Sequence, residues 1–323
     1  MTSPSAPLVS VCVATYKQDR YIEECLLSVL AQAGDVPIEV LVGNDGDSPD
    51  TPHIVARLSA RFPGVIRYFA HERNLGASRN YQFLVREARG YYIAHLDGDD
   101  YWLPGKLRAQ IALLEERPDS PACYANAVVI DDAGRLLGAF TSFSGREIDL
   151  PTLVMRGNFL NHSSLLYRAS HRDVVLDISD EWVDYRLHLG FARRGVLSTI
   201  DRVLVVYRSG SEQSMIDTMA DHVHERVFEA MCTVLPQSSI VREVRRSALG
   251  TFWAAHLIAS MRQRRRRPAL YWYRRIRDAF PQDAVPTLIV GVYIAGGRML
   301  RAVGSKLWRG RSSVGALRVL FER

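Results

Sequence analysis

The chain has 323 residues, of which 47% are hydrophobic and 24% charged. Those values exclude general disorder, a collagen-like repeat and a coiled-coil rod, and the length suits one large domain with an appendage, or two domains. Net charge is +6, but residues 241–323 hold 18 Lys and Arg against 4 Asp and Glu, a net +14, which leaves −8 on residues 1–240.

Leu8–Ala14 is a short apolar run and predicts a buried strand. Tyr21, Ile22, Cys25, Leu26, Val29 and Leu30 follow at helical spacing, closed by Gly34. Ile38–Gly43 predicts a second strand, ending at the polar turn Asn44-Asp45-Gly46-Asp47. A helix over about 51–61, a strand over Val65–Ala70, a helix near 77–89 and a strand over Tyr91–Leu96 come next. That strand runs into Asp97-Gly98-Asp99-Asp100, after which Pro104 opens a helix to about Glu116. The alternation predicts an α/β fold with a parallel sheet and right-handed crossovers. From about 121 the rhythm changes. Ala122–Ile130 and Arg135–Phe140 flank the turn Asp131-Asp132-Ala133-Gly134 as a hairpin. Ser163–Tyr167 and Leu197–Tyr207 read as strands, Glu181–Arg194 as a helix, and the chain beyond 215 as helical and increasingly basic.

The polar residues fall where three strands end: Thr15-Tyr16, Asn44-Asp45 and Asp97–Asp100. Ligands of open parallel sheets bind outside the carboxyl ends of the strands, so these segments converge on one carboxylate-rich rim. There is no G-x-G-x-x-G after the first strand and no Walker A loop. A nucleotide bound here therefore needs another counter-charge for its phosphates, and a divalent cation on Asp97 and Asp99 would supply it. Asp and Gly also build plain solvated turns. Three carboxylates crowded at the end of an apolar strand repel one another unless a cation relieves them.

Four blocks in order resemble glycosyltransferase family 2. They are Val9–Tyr16, Glu39–Asp45, Arg73-Asn74-Leu75-Gly76-Ala77-Ser78-Arg79-Asn80, and Tyr92 through Asp97-Gly98-Asp99-Asp100 to Leu107. The resemblance spans about residues 7–210 and implies a GT-A fold: a mostly parallel sheet flanked by helices, with a nucleotide-sugar-binding half over 7–120 and an acceptor-side half over 121–210. Residues 211–323 would form a separate helical, basic region. It also implies an inverting transfer of one sugar from a nucleotide-diphosphate donor (UDP-, dTDP- or GDP-linked) to a cell-envelope glycan or lipid-linked acceptor. Thr15, Tyr16, Asp45, Arg79, Asp97 and Gly98 would line the donor, and Asp99, with Asp97, would hold Mn²⁺ or Mg²⁺. Counting back from Gly195 puts the family's base at Asp184, with Glu181 as substitute, while Val183 stands where the family usually has an acid. Asn161, His162 and Arg208 fall on the acceptor or phosphate side. Gly210 replaces the histidine of the family's Y-R-x-H, and the processive Q-x-x-R-W motif is absent. A catalytically inactive nucleotide-sugar-binding protein stays open on the departures at Val183 and Gly210.

The tail carries an arginine–aromatic cluster, Arg262–Arg267 with Tyr271, Trp272, Tyr273, Arg274, Arg275 and Arg277, then the apolar run Val285–Ala295, then Arg298, Arg301, Lys306, Arg309 and Arg311. The run is short of the roughly 20 residues that a spanning helix needs. An interfacial segment on a membrane surface is the expectation, with nucleic-acid binding as its rival. The four cysteines, Cys12, Cys25, Cys123 and Cys232, form no C-x-x-C pair. Residues 1–7 contain no basic and apolar leader, so a cytoplasmic protein, peripheral on the inner membrane face, is expected.

Overall fold

The computed structural model describes residues 7–46, 48–179, 181–209, 220–237, 240–261 and 268–308. They fall into two compact units: residues 7–149 with 160–209, and residues 150–159 with 220–308. Of the residues named from the sequence, Asp47, Gly210, Arg262–Arg267, Arg309 and Arg311 lie outside the described residues.

The first unit begins β1 (Val9–Thr15), α1 (Ile22–Leu30), β2 (Ile38–Asn44), α2 (Thr51–Arg61), β3 (Ile66–Ala70), α3 (Ala77–Glu87) and β4 (Tyr92–Asp97). It continues with β5 (Tyr101–Trp102), α4 (Lys106–Glu116), β6 (Ala122–Ile130), β7 (Leu136–Ala139) and β8 (Glu147–Ile148). Helix α5 (Leu150–Arg156) belongs to the second unit; the first resumes with β9 (Leu166–Arg168), α6 (Asp173–Leu176), α7 (Asp184–Ala192) and β10 (Leu197–Arg208).

The strands make one sheet in the order β3-β2-β1-β4-β9-β6-β10-β5, with β7 added on β6 and β8 on β10. Strands β3, β2, β1 and β4 are mutually parallel. The runs of β1, β2 and β4 are buried on both faces: Val9, Val11, Cys12 and Val13 are all fully buried, as a sheet covered by helices on either side requires. Each such Val or Leu contributes about 1.5–3 kcal/mol. The chain leaves β1 towards β2 on one side and returns to it through β4 on the other. The crevice at the carboxyl ends of β1 and β4 is therefore the topological switch point, where open sheets hold ligands.

The mostly parallel sheet also takes in antiparallel strands. Strand β9 runs antiparallel to both β4 and β6, and β5 antiparallel to β10, while β6 and β10 are parallel to each other. Three element boundaries also move. Residues 162–164 are a 3₁₀ turn and the strand starts only at Leu166, because the Ser164 hydroxyl donates locally to the Asn161 carbonyl at 2.7 Å. Helix α7 starts at Asp184, since Val183 is extended at φ −100°, ψ 154°. Helix α4 starts at Lys106, since Gly105 holds the left-handed φ of +79°.

Close packing fixes α3 on the sheet. Asn80 Nδ2 donates to the Gly43 carbonyl at 2.8 Å, and a side chain at Gly43 would overlap the Asn80 amide. This puts the N-terminus of α3 beside the end of β2.

In the second unit, α5 is joined by α8 (Ala220–Val234), α9 (Arg242–Met261), α10 (Ala269–Ala279) and α11 (Ala284–Trp308). Rings of Phe228, Phe252, His256 and Trp272 form its core, with Phe252 and Trp272 centroids 5.0 Å apart and the Trp253 Nε1 donating to the Ala269 carbonyl at 2.9 Å. His224 packs on His256 there, ring to ring at 4.7 Å. Buried Asp283 receives Arg245 Nε at 2.7 Å and Arg246 Nε at 2.8 Å, so part of the tail's positive charge is structural. No helix among the described residues is long and apolar enough to cross a membrane.

Candidate active site

The predicted rim assembles at the ends of β1, β2 and β4. Thr15 closes β1; it is buried, and its Oγ1 has no hydrogen-bond partner among the described residues. Tyr16 stands at the lip, 37% exposed, with Lys17 Nζ 5.1 Å from its ring centroid. Gly98 must be a glycine. Its N–H donates to the Ala14 carbonyl at 2.9 Å, and a Cβ would lie 2.8 Å from both Cβ and Oγ1 of Thr15. The tight approach seats the Asp97–Asp100 turn against the end of β1.

Asp45 is buried, and its carboxylate is engaged. Oδ1 accepts the Leu75 N–H at 2.7 Å and Oδ2 the Gly76 N–H at 2.9 Å. The residue expected to meet the donor base thus also shapes the loop that leads into α3. Arg79 projects from the first turn of α3 and is exposed. Its neighbour Ser78 is tied by its Oγ, at 3.3 Å, to both the N–H and the carbonyl of Trp182. This brings α3 to the segment that precedes α7.

The three carboxylates of the turn have different environments. Asp97 remains 43% exposed. Its Oδ1 lies 3.0 Å from His95 Nε2, and its Oδ2 lies 3.2 Å from Ser163 Oγ. Burial would raise its pKa, but the His95 charge and these two hydrogen bonds outweigh that and hold the carboxyl below its usual range. Asp99 is part-exposed, and its carbonyl accepts Arg208 Nε at 3.1 Å. Asp100 is buried: Oδ1 accepts the Arg208 N–H at 2.8 Å and Oδ2 accepts Ser163 Oγ at 2.5 Å. Burial first, then the charges of Asp99 and Asp97, push its carboxyl well above the usual range.

This crowding is what a cation would relieve. Among the described residues no group of three or more His, Cys, Asp or Glu is placed to hold a metal. The rim offers instead the two part-exposed carboxylates Asp97 and Asp99, which suits a hard cation that takes one or two carboxylates and completes its shell with substrate phosphate and water. The donor set therefore fits Mn²⁺ or Mg²⁺, with Asp100 as the buried support of the turn rather than a ligand.

Residues 161–164 pack against the turn through Ser163 and meet α7 through the His162–His188 contact. Asn161 is buried with Oδ1 unpartnered among the described residues. His162 packs its ring 4.0 Å from that of His95, and its Nδ1 lies 3.4 Å from His188 Nε2. Burial, then the neighbouring imidazoles, holds the pKa of His162 well below the ordinary value, and burial followed by His95 takes His188 down to about 3. A row of imidazoles thus runs from Asp97 to His188, one helical turn after Asp184. Asp184 opens α7, where the helix N-terminus favours a carboxylate. Glu181 is exposed on the strand-like approach. Carboxylates of the turn and of α7 act on one hydroxyl. After burial, Asp100, Asp99, Asp97 and Asp184 in turn raise the pKa of Tyr207. Arg208, expected on the acceptor side, spends its guanidinium on the Asp99 carbonyl, on Glu24 Oε2 at 3.0 Å and on the Tyr21 ring at 4.4 Å. It braces the turn.

His95, Ser163, Trp182 and His188 were not singled out by the motifs. His95 carried a signal, as the one imidazole inside a strand run of aromatic and aliphatic residues, and His188 another, four residues after Asp184 on one helix face. Ser163 carried none, because its bridge between Asp97 and Asp100 exists only in the fold. A surface pocket of about 600 Å³, lined by Arg20, Glu23, Leu27, Gln32, Trp102 and Pro104 among others, holds none of the rim residues.

The sheet order, the switch-point crevice and the carboxylate turn define a nucleotide-sugar transferase fold of the GT-A type. Residues 10–154 match the family model "Glycosyl transferase family 2", and the chain carries a domain of that family. It is similar to an uncharacterized protein of Mycobacterium tuberculosis, 31% identical over 204 residues, 62% of this chain and 58% of the relative. The chain thus spans less than two thirds of that relative's length. Two solved structures share the fold. S. aureus TarS in complex with UDP-GlcNAc has a TM-score of 0.61 at 19% identity, covering 77% of this chain and 72% of that one. The mannosyltransferase PcManGT of Pyrobaculum calidifontis, in complex with GDP-Man and Mn²⁺, has a TM-score of 0.56 at 16% identity, covering 90% and 81%.

Proposed function

We propose that this chain is an inverting glycosyltransferase that moves one sugar from a nucleotide-diphosphate donor to a cell-envelope glycan or a lipid-linked acceptor, working peripherally on the inner face of the membrane. What supports this is the convergence of carboxylates on one neighbourhood: after burial, Asp100, Asp99 and Asp97 on the β4 turn and Asp184 at the head of α7 all raise the pKa of the Tyr207 hydroxyl. The UDP-GlcNAc of TarS and the GDP-Man of PcManGT support a nucleotide-sugar donor and leave its base open.

The roles follow from the chemistry of displacement. The donor pyrophosphate would lie over the turn, where Asp97 and Asp99 would hold a divalent cation; such a cation would supply Lewis-acid charge neutralisation for the leaving phosphate. Tyr16 packs on the base, Asp45 meets the base edge while holding the 75–76 loop, and Arg79 reaches the phosphate side. Asp184 accepts the proton of the attacking acceptor hydroxyl from the face opposite the leaving group, which is the geometry of inversion. Asn161 and Trp182, whose buried Oδ1 and Nε1 have no hydrogen-bond partner among the described residues, offer an acceptor and a donor to sugar hydroxyls.

The test is transfer from labelled UDP-, dTDP- and GDP-sugars to membrane glycolipid and glycan extracts, by wild type and Asp184→Asn. The expected result is transfer by wild type from one donor class and loss of about 10²–10⁴-fold in the variant, with donor affinity kept. Equal activity in the variant would remove Asp184 as base. Donor binding with no transfer by wild type would favour an inactive nucleotide-sugar-binding protein, which Val183 in the usually acidic position also fits.

A further inference from the structure

Helix α11 has two unlike faces. Ala284, Thr287, Gly291 and Ala295 are buried. They pack against α9 so tightly that a Cβ at Gly291 would lie 2.6 Å from Trp253 Cε3, and one at Gly250 2.8 Å from Val290 Cγ1. The opposite face carries Val285, Ile289, Val292 and Tyr293, which are 61%, 68%, 57% and 84% exposed. At 3.6 residues per turn these four fall in one stripe about 100° wide. Exposed apolar residues scattered singly are ordinary, but a continuous stripe on one helix marks an interaction surface.

The charge around the stripe indicates its partner. Residues 284–321 contain six Lys and Arg and no Asp or Glu, and residues 262–267 contain five arginines. A second copy of the chain would bring like charge against like. Nucleic acid would use the arginines and leave the apolar stripe in water. No described helix is long and apolar enough to span a bilayer, but a helix with an apolar face and a basic flank suits the plane of one.

We infer that the Val285–Ile289–Val292–Tyr293 face of α11 lies on the surface of an anionic lipid bilayer. The apolar side chains enter the boundary between headgroups and acyl chains, with the Tyr293 ring at headgroup level, and the net positive charge of the segment favours an anionic surface. This gives a residue-level footing to the peripheral placement proposed above and rests on that placement, not on the transfer chemistry.

Flotation of the full-length chain with vesicles of phosphatidylcholine and phosphatidylglycerol, or of phosphatidylcholine alone, tests it. Wild type is expected to float with the anionic vesicles, less so at about 0.5 M salt, and poorly with the neutral ones. Ile289→Glu/Tyr293→Glu is expected to weaken binding at least about tenfold with an unchanged melting curve, while Ile289→Leu/Tyr293→Trp keeps it. No flotation of wild type, or equal flotation of the Glu variant, would overturn the inference. So would a concentration-dependent dimer that the Glu variant dissociates, since a second copy would then cover the face. Nucleotide binding measured on the same samples keeps this outcome separate from that of the transferase reading.

Discussion

Ser163→Ala should damage the rim without touching a predicted motif. Ser163 is 1% exposed, and its hydroxyl does two things. It donates to Asp100 Oδ2 at 2.5 Å and accepts the Asp97 N–H at 3.2 Å. Alanine removes one oxygen and opens almost no cavity, so the cost is that of two unmade hydrogen bonds. A hydrogen bond to a buried carboxylate contributes about 1.5–3 kcal/mol and a neutral one about 0.5–1.5, for an expected loss of about 2–4 kcal/mol. That is a large part of the roughly 5–15 kcal/mol by which domains are stable. Urea denaturation should show a lower midpoint at an unchanged slope. Because the same hydroxyl orients Asp97, metal-dependent nucleotide affinity should fall as well, by about tenfold. A stability change under about 0.5 kcal/mol with nucleotide binding intact would refute the bridge.

Further outcomes follow from other buried groups. Lys106 is fully buried, with Nζ donating to Gln110 Oε1 at 2.7 Å and lying 3.9 Å from the Trp102 ring centroid, and burial lowers its pKa to about 7. An amine whose folded pKa lies below its unfolded one binds fewer protons when folded. Stability should therefore rise with pH from about 7 to about 10, by up to ~1.4 kcal/mol per pH unit; Lys106→Met should flatten that rise in denaturant midpoints measured across the range. Gly291→Ala should cost about 1–3 kcal/mol through overlap with Trp253, read by thermal unfolding; an unchanged melt would contradict the tight α9–α11 approach. Arg208→Ala should lower stability and weaken donor binding together by unbracing the Asp99–Asp100 turn, seen in calorimetry beside a melt; loss of acceptor affinity alone would instead return Arg208 to the acceptor side.

The parallel half of the sheet was legible because its strands are mostly apolar runs and polar residues follow them. That period and those stops survive in any α/β sheet, so the rim of Thr15, Tyr16, Asp45 and Asp97–Asp99 could be read before any coordinates. The second half was less legible for physical reasons. Strand β9 is three residues long and is held by partners distant in sequence, while the Ser163 and Ser164 hydroxyls convert its expected start into a turn. No element was read over 150–156, where α5 forms and packs in the second unit. The roles of Asp45, Arg208 and Asp100 divide in a way that no spacing reveals: all three are polar rim residues, yet buried hydrogen bonds turn the last two into supports. The tail's apolar run is continuous in sequence, and only helical packing at Gly250 and Gly291 separates its buried face from its exposed one.

The central claim is that Asp97 and Asp99 hold a cation and a nucleotide diphosphate together. Isothermal calorimetry of UDP, GDP and dTDP, each with Mn²⁺ and with EDTA, on wild type and Asp99→Ala, tests it most directly. The account predicts that one nucleotide binds in Mn²⁺, that EDTA abolishes its heat, and that Asp99→Ala does the same while melting like wild type. Binding of equal strength in EDTA or in the variant, or no binding of any of the three by wild type, would contradict it.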